Sequence, residues 1–342
     1  MYIKEEGEEI SREELLWEEM KDREREKAAK KDFKKRINKL SKHLFLYQLL
    51  SIIFAFLYFF LLIFWWGIDL EADITQLKDP LKRFFLGDGI ITIAGILLSF
   101  GMLLLRLRKE EAGERIFLLE RKMTLRTLLY CVLLSLAFQG IFTYLNGIFE
   151  FLFNLFGLTL KEAFIAATDP GEDAAALFYT AIFAPLVEEL IYRGLVLRYL
   201  EKYGKVFAIL MSAMFFGLMH GNPTQAIFAF LFGILYGYIA LEYSIFWTIF
   251  LHIFNNLGLG ILYPVLIGIF PAGFSFAAER IFEIIFIIAA IFGLLKKRGG
   301  IRNYLSEHRS LKGLYAGSFS SIWMIVFWLF NVLFMISIIK PI

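Results

Sequence analysis

The sequence predicts an all-α fold, a polytopic integral membrane helix bundle of about eight or nine transmembrane helices with a charged N-terminal helical segment. Three observations lead there. The 342-residue chain is 58% hydrophobic and carries 39 Phe, with a mean hydropathy of +0.64; a soluble domain is closer to half apolar. Apolar runs long enough to cross a hydrocarbon core of about 30 Å recur along most of the length. These runs are continuous rather than alternating, which speaks against a membrane β-barrel.

Residues 1–43 are polar. Glu5 to Glu26 is acid-rich, and Lys27 to Lys42 is basic. Few residues here break a helix, so we expect one or two surface helices supported by i,i+4 charge pairs. The basic half would suit anionic headgroups, but we read the segment as a solvated helix that signals topology. No secretory signal peptide is expected, because the first apolar run begins only near Leu44.

The expected spans are 44–66, 89–107, 126–148, 175–199, 206–221, 225–242, 245–268, 277–296 and 318–339, separated by Gly, Pro and charge clusters. They divide the chain into the charged segment 1–43, N-terminal transmembrane helices over 44–172, a core of polar-bearing helices over 173–270 and C-terminal transmembrane helices over 271–342. Cations crowd alternate loops: Lys34 to Lys42, Arg106 to Arg126, Arg198 to Lys205, and Lys296 to Lys312. The other loops carry Asp69, Glu71, Asp73 and Asp88, or Asp169, Glu172 and Asp173. By the positive-inside rule the N-terminus is cytoplasmic, in a cell membrane or endomembrane. The bilayer is then the first partner, and no nucleic-acid partner is expected. The lone Cys131 lies in an apolar run and excludes an intrachain disulfide or a cysteine metal cluster.

Against this background a few polar side chains stand out. Ionisable groups at the bilayer centre cost roughly 2.5–3.5 kcal/mol on insertion scales, so they face one another or water inside the bundle. The first cluster is Glu188-Glu189 with Arg193. Helical neighbours differ by about 100°, so the two acids cannot share a face. Glu189 and Arg193 are spaced to pair, which leaves Glu188 available as a general base or acid. The second cluster is Phe216 with His220, and the third is His252-Ile253-Phe254-Asn255-Asn256. There i,i+4 spacing puts His252 and Asn256 on one face, and Asn255 is expected to be structural. Counting inward at the helical rise gives depths of about 18 Å for Glu188, about 21 Å for His220, about 12 Å for His252 and about 18 Å for Asn256. They fall in one layer. Each has a bland reading as an interhelical hydrogen bonder. Together they form a parts list for hydrolysis: an acid and an imidazole to deprotonate water, and a second imidazole and an amide for an oxyanion. Ser212 could face the same side but has no evident base. Arg280 and Glu283 are expected to pair with each other.

Glu188-Glu189 with Arg193, Phe216 with His220, and His252 with Asn256 match the motifs EExxxR, FxxxH and HxxxN in that order. Ala184-Pro185, Gly194 and the stretch Phe232 to Gly237 also fit. The chain thereby resembles the type II CAAX prenyl endopeptidases and the wider CPBP, or abortive-infection, family of intramembrane glutamate proteases. The resemblance covers about residues 175–260. It implies an endopeptidase in which Glu188 and His220 activate water, His252 and Asn256 stabilise the oxyanion, and Glu189 and Arg193 support the site. It implies no cofactor, and a prenylated or other C-terminal peptide as substrate, with the last three residues of a CaaX segment released at the cytoplasmic face. One alternative places zinc on Glu188, His220 and His252, although no HExxH helix is present. Another is a non-catalytic scaffold, transporter or self-immunity protein that keeps the polar core for packing or proton movement.

Overall fold

The computed structural model describes residues 2–3, 9–10, 12–65, 89–107, 115–168, 174–310 and 312–342. The acids of the alternate loops, from Asp69 to Asp88 and from Asp169 to Asp173, lie outside the described residues, as do Arg108 and Lys109. After a two-stranded pair, β1 (Tyr2–Ile3) and β2 (Glu9–Ile10), helix α1 runs without a break over Arg12–Trp65. The charged segment and the first span are therefore one helix, not separate surface helices. The reason lies in a buried stripe. Phe33, Ile37, Leu40 and Leu44 recur at helical spacing and are at most 1% exposed. Phe33 packs edge-on against Tyr203 and Phe207, at 4.9 and 5.4 Å between ring centres.

Helix α2 (Gly89–Leu107) lies against α1. Helix α3 (Leu125–Asn154) starts at Thr124, whose side chain accepts from the Thr127 backbone, and runs past its expected end at 148. A short strand β3 (Leu158–Thr159) and helix α4 (Lys161–Thr168) follow. The core helices are α5 (Ala174–Tyr203), α6 (Lys205–Met219), α7 (Pro223–Glu242) and α8 (Ile245–Ile267). Then come α9 (Ala272–Lys296), α10 (Arg298–Glu307), α11 (Leu314–Phe319), α12 (Ile322–Ser337) and β4 (Lys340–Pro341), which pairs antiparallel with β3.

Among the described residues five helices are long and apolar enough to span a membrane, drawn from α1, α3, α5, α7 and α8. Three shorter apolar helices lie within α2, α6 and α12. Eight of the expected spans are therefore apolar helices. The remaining one, 277–296, folds as part of α9 but is not among them; it carries Glu279, Arg280 and Glu283. Arg280 and Glu283 do pair, at 2.7 Å.

Helices α6 and α7 form the tightest hairpin. A Cβ on Gly233 would lie 2.7 Å from the Cα of Ala213, and one on Gly217 would lie 2.6 Å from the carbonyl of Ala226. Small residues four apart on each helix, Ala213 with Gly217 and Gly233 with Gly237, let the backbones touch, as membrane helices require when lipid offers no hydrophobic drive.

One end of the bundle collects charge. Asp32 meets Lys202 and Tyr203, Glu201 meets Arg115 and Arg198, and Glu242 meets Lys205, Arg121 and Tyr304. These contacts gather the base of α1, the loop before α3, the α5–α6 and α7–α8 turns and α10. Alternate cation-rich loops thus lie at one end, as their charges predict. Glu242, the last residue of α7, is buried within this network.

Candidate active site

Helix α5 is not a uniform α-helix. Wider π-type turns cover Tyr179–Phe183 and Leu190–Val196, and a third covers Phe254–Leu262 in α8. Pro185 explains the first, since its ring cannot sit against the preceding turn of a regular helix. Such turns recur at functional sites because they reset the phase of the side chains that follow. Between the first two lies the short α-helical stretch Ala184–Glu189. Within it the two acids point apart, as their spacing requires.

Glu189 points into the bundle and is 0% exposed. Its carboxylate lies 3.0 Å from Arg193 Nη1 and 2.8 Å from His252 Nδ1. Arg193 is equally buried. Its guanidinium lies 4.2 Å from the ring centre of Phe216 and 5.4 Å from that of Tyr236, so charge and ring faces hold it. The expected Glu189–Arg193 pair forms. Its link to His252 was not legible in the spacing. A carboxylate only accepts, so Nδ1 of His252 donates, and Nε2 is turned to the other side.

Glu188 lies on that side. Its side chain is 29% exposed, and its carboxylate oxygen is 3.7 Å from His252 Nε2. It makes no hydrogen bond to protein among the described residues. Instead it lines a cleft of about 330 Å3 together with His220, Tyr179, Tyr192 and Phe216. His220 closes the last turn of α6. Its Nδ1 donates to the Phe216 carbonyl at 2.8 Å, which in the neutral ring leaves Nε2 as an acceptor. Phe216 also touches the rings of His220, His252 and Tyr192, so the FxxxH phenylalanine acts as a spacer for the whole constellation.

The structure therefore brings Glu188, Glu189, Arg193, His220 and His252 together. Asn256 follows His252 into the π-turn, and neither His252 nor Asn256 is among the cleft-lining residues. The Asn256 amide donates to the Thr180 carbonyl at 3.0 Å and accepts from Asn255, which in turn accepts from Gln139. Asn255 is thus part of a buried amide chain, as expected of a structural residue. Ser212 is fully buried and donates to the Tyr192 carbonyl at 2.7 Å, so it ties α6 to α5. Among the described residues no group of three or more His, Cys, Asp or Glu is arranged to hold a metal ion.

Sequence reasoning missed one wall of the cleft. Tyr47, Gln48, Ser51 and Ile52 of α1, and Phe334 of α12, line it opposite Glu188. Helices α1 and α12 pack in parallel register: Asn38 accepts from Ser321, Ser41 donates to Met324, and Gln48 exchanges two amide bonds with Asn331, each pair 283 residues apart. The polar residues at 38, 41 and 48 recur at the same intervals as their partners at 321, 324 and 331. That repeat was the only signal available, and it is faint among apolar neighbours.

Residues 170–258 match the family model described as Type II CAAX prenyl endopeptidase Rce1-like. The matched segment contains all three motifs and excludes α1 and α12. Neither the curated proteins nor the solved structures give a match. With the helix bundle, the match supports a CAAX-type endopeptidase within a membrane.

Proposed function

We propose that the protein is a glutamate-dependent intramembrane endopeptidase that hydrolyses a peptide bond with water as the nucleophile. The observation that carries this reading is the contrast between two adjacent acids. Glu189 is sealed against Arg193 and His252, whereas Glu188 is accessible and unbonded in a cleft shared with His220.

A water in the cleft can give one hydrogen to the Glu188 carboxylate and one to Nε2 of His220. Its remaining lone pair is then free to attack a carbonyl carbon. Glu188 takes the proton as attack proceeds and returns it to the leaving amine. His252, oriented by Glu189, stands 3.7 Å from Glu188; when doubly protonated it offers charge and an Nε2–H to the developing oxyanion. Asn256 anchors the Thr180 backbone of the first π-turn, with one amide hydrogen remaining for an oxyanion. The apolar cleft wall, with Ile52, Val187, Met219 and Phe334, suits a substrate that arrives from lipid, such as the prenylated C-terminal segment of a CaaX protein. By the positive-inside rule the charged end is cytoplasmic, and the tripeptide leaves there.

The test is incubation of the purified protein with prenylated and unprenylated CaaX peptides, with the cut located by mass spectrometry. Cleavage after the modified cysteine, lost in Glu188→Gln, is expected. Equal output from wild type and Glu188→Gln would support a scaffold instead. Loss of activity on chelation, restored by zinc, would favour the metal-bearing alternative.

A further inference from the structure

The two oxyanion donors named so far, His252 and the second amide hydrogen of Asn256, belong to residues that do not line the cleft. Nδ1 of His252 is held by Glu189, one amide hydrogen of Asn256 goes to Thr180, and Nδ1 of His220 goes to Phe216. The cleft itself, however, is lined by three phenols: Tyr179 and Tyr192 on α5, and Tyr47 on α1. None of the three hydroxyls is hydrogen-bonded to protein among the described residues, and none is among the buried atoms sealed from solvent. Tyr179 and Tyr192 share a helix with Glu188. Tyr47 alone of the three reaches the cleft from a different helix.

Tyr47 is also rigidly mounted. Its ring is 8% exposed. The next residue, Gln48, exchanges amide hydrogen bonds with Asn331 of α12 at 2.8 and 3.1 Å, and the Tyr47 carbonyl accepts from the Ser51 hydroxyl at 3.0 Å. A preorganised donor on a fixed element is what oxyanion stabilisation requires, since it costs no reorganisation when charge develops.

Resting on the proposed hydrolysis, we infer that Tyr47 donates its phenolic hydrogen to the scissile carbonyl oxygen, and that the α1–α12 pair is therefore part of the enzyme rather than an accessory to it. The phenol keeps its proton throughout; it strengthens its hydrogen bond as the carbonyl becomes an oxyanion, and the proton exchanged with water travels through Glu188.

The experiment compares wild type, Tyr47→Phe and Glu188→Gln on a farnesylated CaaX peptide, with melting temperatures measured in parallel. Loss of one oxyanion donor should lower kcat by about a hundred-fold and leave KM and the melting temperature unchanged. Site-specific incorporation of difluorotyrosine at position 47 keeps the ring and strengthens the donor. It should retain or raise kcat even if Tyr47→Phe is poorly folded. Wild-type kcat in Tyr47→Phe, or a change confined to KM, overturns the inference while an inactive Glu188→Gln preserves the hydrolase. Full activity in Glu188→Gln, or no cleavage by wild type of either prenylated or unprenylated peptide, overturns both.

Discussion

The motif-bearing helices α5 to α8 and the flanking pair α1 and α12 meet across one cleft, yet they are built differently. In the first region, polar groups are tied by charge: Glu189 lies 3.0 Å from Arg193 and 2.8 Å from His252. In the second, they are tied by neutral amides and hydroxyls in a parallel register. Charge in low dielectric is costly unless every partner is present, so the first region is brittle. Neutral amides in a membrane bundle contribute only about 0.6–1.7 kcal/mol each, so the second region is tolerant. The proposed chemistry draws on the brittle side, and the other side supplies geometry.

Several substitutions break or sharpen this contrast. Glu188→Gln should have the largest effect on activity, a loss of about 10²–10⁴-fold, with little change in melting temperature because the carboxylate makes no hydrogen bond to protein. A rate within a few-fold of wild type would remove Glu188 from the chemistry. Next in size is Glu189→Gln. It strands Arg193 in a dry site and should destabilise the fold by about 3–5 kcal/mol, measured as lost yield and thermal stability in detergent. The double variant Glu189→Gln with Arg193→Met should recover part of that loss. If it recovers nothing, the pair is not an isolated electrostatic unit.

Gly233→Ala tests the α6–α7 hairpin that carries His220. Its new Cβ would meet the Ala213 backbone at 2.7 Å, and forcing the helices apart should cost about 1–3 kcal/mol. Cleavage should fall with it, because His220 closes α6. The smallest effect is expected from Asn331→Leu, which strands the Gln48 amide for about 1 kcal/mol. Pairing it with Gln48→Leu should restore stability. A large, unrecovered loss would mean that the flanking pair is as brittle as the motif core.

Much of this was legible beforehand because membrane sequence is under a severe constraint. A lone ionisable residue in an apolar run must be accounted for, so Glu188, Glu189, Arg193, His220, His252 and Asn256 announce themselves. The Glu189–Arg193 pair and the Arg280–Glu283 pair followed from helical spacing alone. Other features were hidden for identifiable reasons. The continuity of α1 depends on Phe33, Ile37 and Leu40, whose apolar stripe is masked by surrounding lysines. The orientation of Asn256 depends on a π-turn that no residue type signals, although Pro185 and Pro264 mark the neighbourhoods where such turns form. Tyr47 is an aromatic among aromatics, and nothing in one dimension distinguishes it from a packing residue.

The amino-acid order by itself determined the helical membrane class, the recurrence of cations in alternate loops, and the identity of the polar groups that must converge. Each follows from the cost of leaving a charge or a backbone amide unpaired in hydrocarbon. Only the tertiary structure decided which acid is sealed and which is open, how His252 is shared between them, and that α1, far upstream in the chain, lines the cleft. Those outcomes depend on helix phase and on partners far apart in the chain, where a shift of one wide turn moves a side chain from one face to another.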